Sequence, residues 1–78
     1  MNMDRIKQLL SPDSELIFIV MQPEPAVMTA FESNLGLVVF GETLAELKQA
    51  IRERVLQFFD GEYKGRICIR QFHDIVLD

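Results

Sequence analysis

Residues 3–21 contain two hydrophobic patterns, a helical spacing followed by a continuous apolar run. Over residues 3–10 the apolar side chains recur every three or four positions, which predicts a short amphipathic helix. Ser11-Pro12-Asp13 then ends this helix, because proline cannot continue it. Residues 16–21, LIFIVM, are apolar at every position and rich in β-branched and aromatic side chains. This composition predicts a strand that is covered on both faces.

Two further strands are predicted in the middle of the chain, each preceded by residues that favour turns. Gln22-Pro23-Glu24-Pro25 turns the chain into a second strand over residues 26–32. Ser33-Asn34-Leu35-Gly36 then leads into a short third strand over residues 37–40, since Asn and Gly readily adopt turn conformations. Because both connections are short, the three strands are expected to form an antiparallel meander.

The longest helix is predicted over residues 43–59. Gly41 is expected to let the backbone turn sharply, and Thr43 with Glu46 has the T-x-x-E spacing of a capping box. Asp60-Gly61 ends the helix. Apolar residues spaced by three and four form one face, which is expected to pack on the sheet. These residues are Leu44, Leu47, Ile51, Val55 and Phe58.

A closing strand is predicted over residues 65–72, where charged and apolar side chains alternate and one face is expected to be wetter. The element order is therefore α-β-β-β-α-β. This order predicts an α+β fold, with a three-stranded antiparallel meander, a helix packed on the sheet and a closing strand. We expect a single domain over residues 1–78, with a helical extension at 1–12 and a core at 15–73.

Composition and charge narrow the class of protein. A chain of 78 residues forms one small domain and buries only about 60% of its unfolded surface. The 12 acidic and 8 basic residues give a net charge of −4, so a basic protein partner is a better match than nucleic acid. Cys68 is the only cysteine, and the N-terminal residues lack the apolar core of a signal peptide. We expect a cytoplasmic protein that does not enter a membrane, because the longest apolar run is far shorter than the ~20 residues of a membrane span.

Few residue groups are suited to catalysis or metal binding. A two-metal site needs several carboxylates converging from strands, and residues 16–21 carry none. Glu32, Glu42 and Glu46 lie near the meander and the helix start, and are interpreted as surface or capping carboxylates. His73, Asp74 and Cys68 could be imagined as a nucleophile set. However, adjacent strand residues point to opposite faces, so His73 is interpreted as exposed and Cys68 as packed.

The basic residues are the other candidate group, since they could form one patch near Tyr63. They are Lys48, Arg52, Arg54, Arg66 and Arg70. Acidic residues alternate with them along the chain, which favours an ordinary charged surface over a track for phosphates. No glycine-rich nucleotide motif is present. The sequence therefore predicts no catalytic, cofactor-binding or metal-binding residue, no cofactor, and no enzyme activity.

The stretch from Gly36 through residues 41–47, GETLAEL, resembles the HicB-type antitoxin family. Members of that family typically show a Gly-Cys pair, then Gly-Asp-Thr followed by a helix that contains glutamate. Gly36-Leu37 stands here for the first pair and Gly41-Glu42-Thr43 for the second. The closing strand RICIRQF is similar to that of short stand-alone relatives. The resemblance covers about residues 15–73 and implies a partial ribonuclease H-like fold.

The resemblance also implies a function. HicB-type antitoxins bind a small basic ribonuclease toxin and mask its active site, often repressing their own operon through a separate C-terminal DNA-binding segment. Only residues 74–78 follow the resemblance here, so toxin binding without operator binding is expected. The alternative is a small-molecule-binding or accessory regulatory domain with a pocket between sheet and helix.

A homodimer or a higher homo-oligomer is expected for a separate reason. Residues 16–21 are apolar on both faces, whereas the chain has only one long helix, at 43–59, to cover one of them. A second copy of the chain could bury the other face, since closed dimers are the commonest symmetric assemblies.

Overall fold

The structure, a computed structural model, describes residues 3–21, 27–71 and 77, with side chains from residue 6 onward. The helices are α1 (Met3–Leu9) and α2 (Leu44–Phe59). The strands are β1 (Glu15–Met21), β2 (Met28–Glu32), β3 (Leu37–Gly41) and β4 (Arg66–Gln71). The predicted α+β class and the order α-β-β-β-α-β are confirmed.

The four strands form one mixed sheet in the order β3-β2-β1-β4. β1 pairs with β2 and β2 with β3 in antiparallel fashion, which confirms the predicted meander. β4 lies on the other side of β1 and runs parallel to it, with Ile17 opposite Cys68. A parallel neighbour requires a crossover connection, and α2 provides it by carrying the chain from one edge of the sheet to the other. The sequence predicted a closing strand without placing it in the sheet.

The core fills the space between α2 and one face of the sheet. Along β1 the side chains alternate, so Leu16, Phe18 and Val20 are buried while their neighbours are not. α1 contributes Leu9 at the margin of this core. The core residues are Leu9, Leu16, Phe18, Val20, Ala30, Leu37, Val39, Leu47, Ile51, Val55 and Phe59. The second face of β1 is only half-buried or exposed, so the single chain does not supply the cover that was expected for it.

The ends of α2 follow the predicted signals. Thr43 is the N-cap, and its Oγ1 accepts a hydrogen bond from the backbone N–H of Glu46 at 3.1 Å. The Glu46 carboxylate in turn accepts from the backbone N–H of Glu42 at 3.0 Å, one residue earlier than in a standard capping box. Asp60 ends the helix in the left-handed conformation (φ 54°), and Gly61 follows with φ 78°.

The buried face of α2 differs from the predicted face at its C-terminal end. Leu47, Ile51 and Val55 are buried as expected, but the next buried residue is Phe59 and not Phe58. The buried row continues at a spacing of four residues, which leads from Val55 to Phe59. Phe58 lies at the side of the helix, partly buried, with the Arg54 guanidinium 6.0 Å from the centre of its ring.

Gly41 is required for close packing and not for a sharp turn, which corrects the sequence interpretation. Among the described glycines, those with positive φ are Gly36 and Gly61. A Cβ atom on Gly41 would lie 2.6 Å from the backbone nitrogen of Leu47 and 2.8 Å from its Cα. The missing side chain therefore lets the first turns of α2 pack directly on the end of β3.

Candidate functional site

The face of the sheet opposite α2 is the candidate functional surface, and we call it the open face. Strand alternation places the odd-numbered residues of β1 and β2, and the even-numbered residues of β3 and β4, on this side. Its members are Glu15, Ile17, Ile19, Met21, Thr29, Phe31, Val38, Phe40, Arg66, Cys68 and Arg70. The pairing register brings Ile19, Phe31 and Val38 into one row across three strands, with Arg70 at its end.

Four large apolar side chains of the open face are exposed. Met21 is 59% exposed, Phe31 41%, Val38 43% and Phe40 62%. Ile19 is half-buried between these residues and completes a continuous apolar surface. Scattered single apolar residues are normal on a protein surface, but a contiguous patch of large side chains is typical of an interaction site.

The charged residues of the open face are confined to its β1–β4 side. Glu15 lies opposite Arg66 in the register, and Arg70 lies two rows further along β4. The Cys68 thiol donates a hydrogen bond to Glu15 Oε2 at 3.1 Å. This bond raises the pKa of Cys68 above its ordinary value of 9.0, and desolvation and the charge of Glu15 act in the same direction against the two arginines. Because a thiolate is the nucleophilic form, the geometry does not activate Cys68.

Glu32 is buried, which corrects its interpretation as a surface carboxylate. It is 1% exposed, and its two carboxylate oxygens accept hydrogen bonds from the backbone N–H groups of Asn34 (2.7 Å) and Leu35 (2.8 Å). Glu32 thus closes the turn between β2 and β3. Its position at the inward-facing end of an alternating strand was the sequence signal that could have shown this.

The remaining candidates are not brought together by the fold. Glu46 caps α2, and Glu42 is exposed beside it. In the described part of the chain, no three His, Cys, Asp or Glu side chains lie close enough to hold a metal ion. His73 and Asp74 lie outside the described residues.

The five basic residues considered as one patch are divided among three places. Lys48 and Arg52 lie beside a groove on the α2 side of the sheet. Arg54 contacts Phe58. Arg66 and Arg70 lie on the opposite side, on the open face.

The groove runs between α2 and β4, where the helix leaves the inner side of the edge strand partly uncovered. Two adjoining cavities of about 260 and 290 Å³ share Arg52 and Ile67 in their walls. Ile51, Val55, Leu56 and Ile69 complete an apolar lining, and Lys48 stands at one end. The groove is suited to an apolar group that carries a negative charge.

Comparisons of the chain with protein-family models, curated proteins and solved structures find no match. Within the described residues, no helix has both the length and the apolar character needed to cross a membrane.

Proposed function

We propose that the chain is a non-enzymatic protein-binding module and that the open face is its principal binding surface. The observation that carries this proposal is the exposed apolar patch formed by Met21, Phe31, Val38 and Phe40, which lie in two neighbouring rows across the sheet. A sheet face of this kind is flat and wide, whereas a small-molecule site is concave and buries most of its ligand. A protein surface is therefore a better match for it than a small ligand.

For the chain as a whole, we propose antitoxin-type neutralisation of a small basic ribonuclease, without assigning the toxin to the open face. Support comes from the resemblance of the sequence to HicB-type antitoxins, which is carried by Gly36 and residues 41–47. The net charge of −4 favours association with a basic protein. In this role the chain would bind the toxin and cover its active site without supplying a catalytic residue.

Co-expression tests the neutralisation directly. The candidate toxin is a small basic protein encoded beside the gene for this chain, expressed from an inducible promoter with or without the chain. We expect growth arrest with the toxin alone and recovery with both. The purified pair should form a stable complex that no longer degrades RNA. Continued RNA degradation at saturating chain, or no complex at micromolar concentrations, would contradict the antitoxin role.

The groove between α2 and β4 supports a second candidate, a small-molecule-binding regulatory domain. Its apolar lining and the nearby Lys48 and Arg52 are suited to a medium-chain alkyl carboxylate. Titration of the chain with decanoate, followed by NMR shifts, should perturb Ile67 and Ile69 if this function is correct. The variant Arg52→Ala should weaken binding, whereas Lys64→Ala, an exposed lysine that does not line the groove, should not. Shifts that are absent or spread over the whole surface would argue against this candidate.

A further inference from the structure

The occupant of the open face can be inferred from its charges. A basic partner docking there would meet Arg66 and Arg70 at the β4 side, with Glu15 as the only acidic group among the described residues of the face. The face therefore does not match the basic protein that the net charge of the chain would otherwise attract. It does match a surface that carries one acidic and two basic groups along one side and exposed apolar side chains over the rest, which is a description of the open face itself.

The size of the open face agrees with this occupant. A standard interface buries about 800 Å² on each partner. The four most exposed apolar residues of the face account for about 400 Å², since a large aromatic side chain contributes roughly 150–250 Å² when fully buried. The half-buried Ile17 and Ile19, with Thr29, Cys68 and the stems of the arginines, extend the area towards that of a standard interface.

The shape of the face is also suited to its own copy. Two twisted sheets stack face to face about 10 Å apart with their strands within about 30° of each other, and the side chains of the two inner faces then interdigitate. A sheet with a helix on one side and an apolar face on the other forms one half of such a stack. Two-fold symmetry would bury the same residues on both copies.

We propose that the open face binds a second copy of this chain, giving a homodimer with the two sheets stacked at its centre and an α2 layer on each outer side. The proposal rests on the proposed function only in that the face binds protein, and it names the partner. Antitoxin activity would then use a surface that the dimer leaves free.

Sedimentation equilibrium of the purified full chain tests the proposal. We expect a mass twice the 9.0 kDa of the chain at micromolar concentrations. Phe40→Lys should raise the dissociation constant of the dimer about thirtyfold or more, as for a residue that contributes strongly to an interface. Gln57→Lys is the control, because Gln57 is exposed on α2 and lines neither the open face nor the groove. This control should leave the dimer unchanged.

One more variant and a measurement of the fold guard against misfolding and against a different interface. Phe31→Lys, at the centre of the face, should also give monomers, and circular dichroism should show that both lysine variants keep the fold. A folded wild-type chain that stays at 9.0 kDa would overturn the proposal. A dimer that persists in both folded lysine variants would also overturn it, because association would then use another surface, such as an edge strand.

The double variant Arg66→Glu with Arg70→Glu separates this proposal from the antitoxin role. The double variant should weaken the dimer. Each open face would then carry three acidic groups, at positions 15, 66 and 70, and the two faces would repel each other. If it left the dimer intact and increased capture of the basic toxin, the toxin and not a second copy would be the occupant of the open face. A dimeric chain that fails to neutralise any toxin would instead contradict only the antitoxin role.

Discussion

The two faces of the sheet are built from the same strands but lie in different surroundings. On the inner face, Phe18 is fully buried beneath α2, whereas on the open face Phe40 is 62% exposed. Both faces of β1 are apolar, because six successive apolar residues supply side chains to each in turn. The difference lies in the helix, which covers one face alone. A strand can thus be apolar on both faces while its own chain covers only one of them.

The charged groups of the two faces also differ in burial. On the inner side, the buried carboxylate of Glu32 accepts two backbone hydrogen bonds, as a buried charge requires. On the open face, Glu15, Arg66 and Arg70 remain exposed at the margin. The open face thus combines a large exposed apolar area with charged groups along one side only.

Truncation of matched phenylalanines gives the largest expected contrast. Phe18→Ala should lower the free energy of unfolding by about 3–5 kcal/mol, because it leaves a cavity in the core. That is a large fraction of the total stability of about 4–12 kcal/mol expected for a domain of this length. Phe40→Ala should change it by about 0.5 kcal/mol when the chain is monomeric. Urea unfolding at submicromolar concentration measures both, and equal losses would show that the two faces are equally buried.

Removal of the buried carboxylate should have the next largest effect. Glu32→Ala leaves the N–H groups of Asn34 and Leu35 without their carboxylate acceptor, which should cost about 2 kcal/mol. Glu42→Ala removes an exposed carboxylate from the same region and should stay within about 0.5 kcal/mol of wild type. Urea unfolding of both variants would check this. A neutral Glu32→Ala variant would mean that water replaces the carboxylate at little cost.

Loss of the α2 cap should have a smaller effect. Thr43→Ala removes the acceptor of the Glu46 N–H and should destabilise the fold by about 1 kcal/mol. Since Thr43 lies at the start of α2 and not on the open face, its loss should leave the affinity for a protein partner unchanged. Thermal melts and binding assays of this variant test both statements. If binding failed while the melting temperature stayed constant, Thr43 would belong to an interface.

The smallest expected effect concerns the titration of Cys68 on the open face. Because its pKa is raised in the folded chain, the bond to Glu15 stabilises the fold below the ordinary thiol pKa of 9.0 and is lost as the pH rises through the folded value. Glu15→Gln should therefore move the midpoint of the pH profile for iodoacetamide alkylation to lower pH. The midpoint reports on protonation even if a partner slows the reaction. An unchanged midpoint would show that Glu15 does not hold the proton on the thiol.

Local signals in the sequence determined the elements of this protein. Turn residues, the T-x-x-E spacing and apolar periodicity predicted two helices, four strands and the meander, because these features depend on residues that are near one another along the chain. The surplus of apolar positions in residues 16–21 also indicated that one helix was not sufficient to cover the sheet.

Tertiary structure decided the features that depend on distant residues. It placed β4 parallel to β1, buried Phe59 in place of Phe58, and packed the first turns of α2 against Gly41. The surroundings of Glu32 and the pairing of Cys68 with Glu15 arise in the same way, the latter across 53 positions of sequence. Periodicity defines which side chains share a face, but only the path of the chain through space determines which face α2 covers and which face stays open.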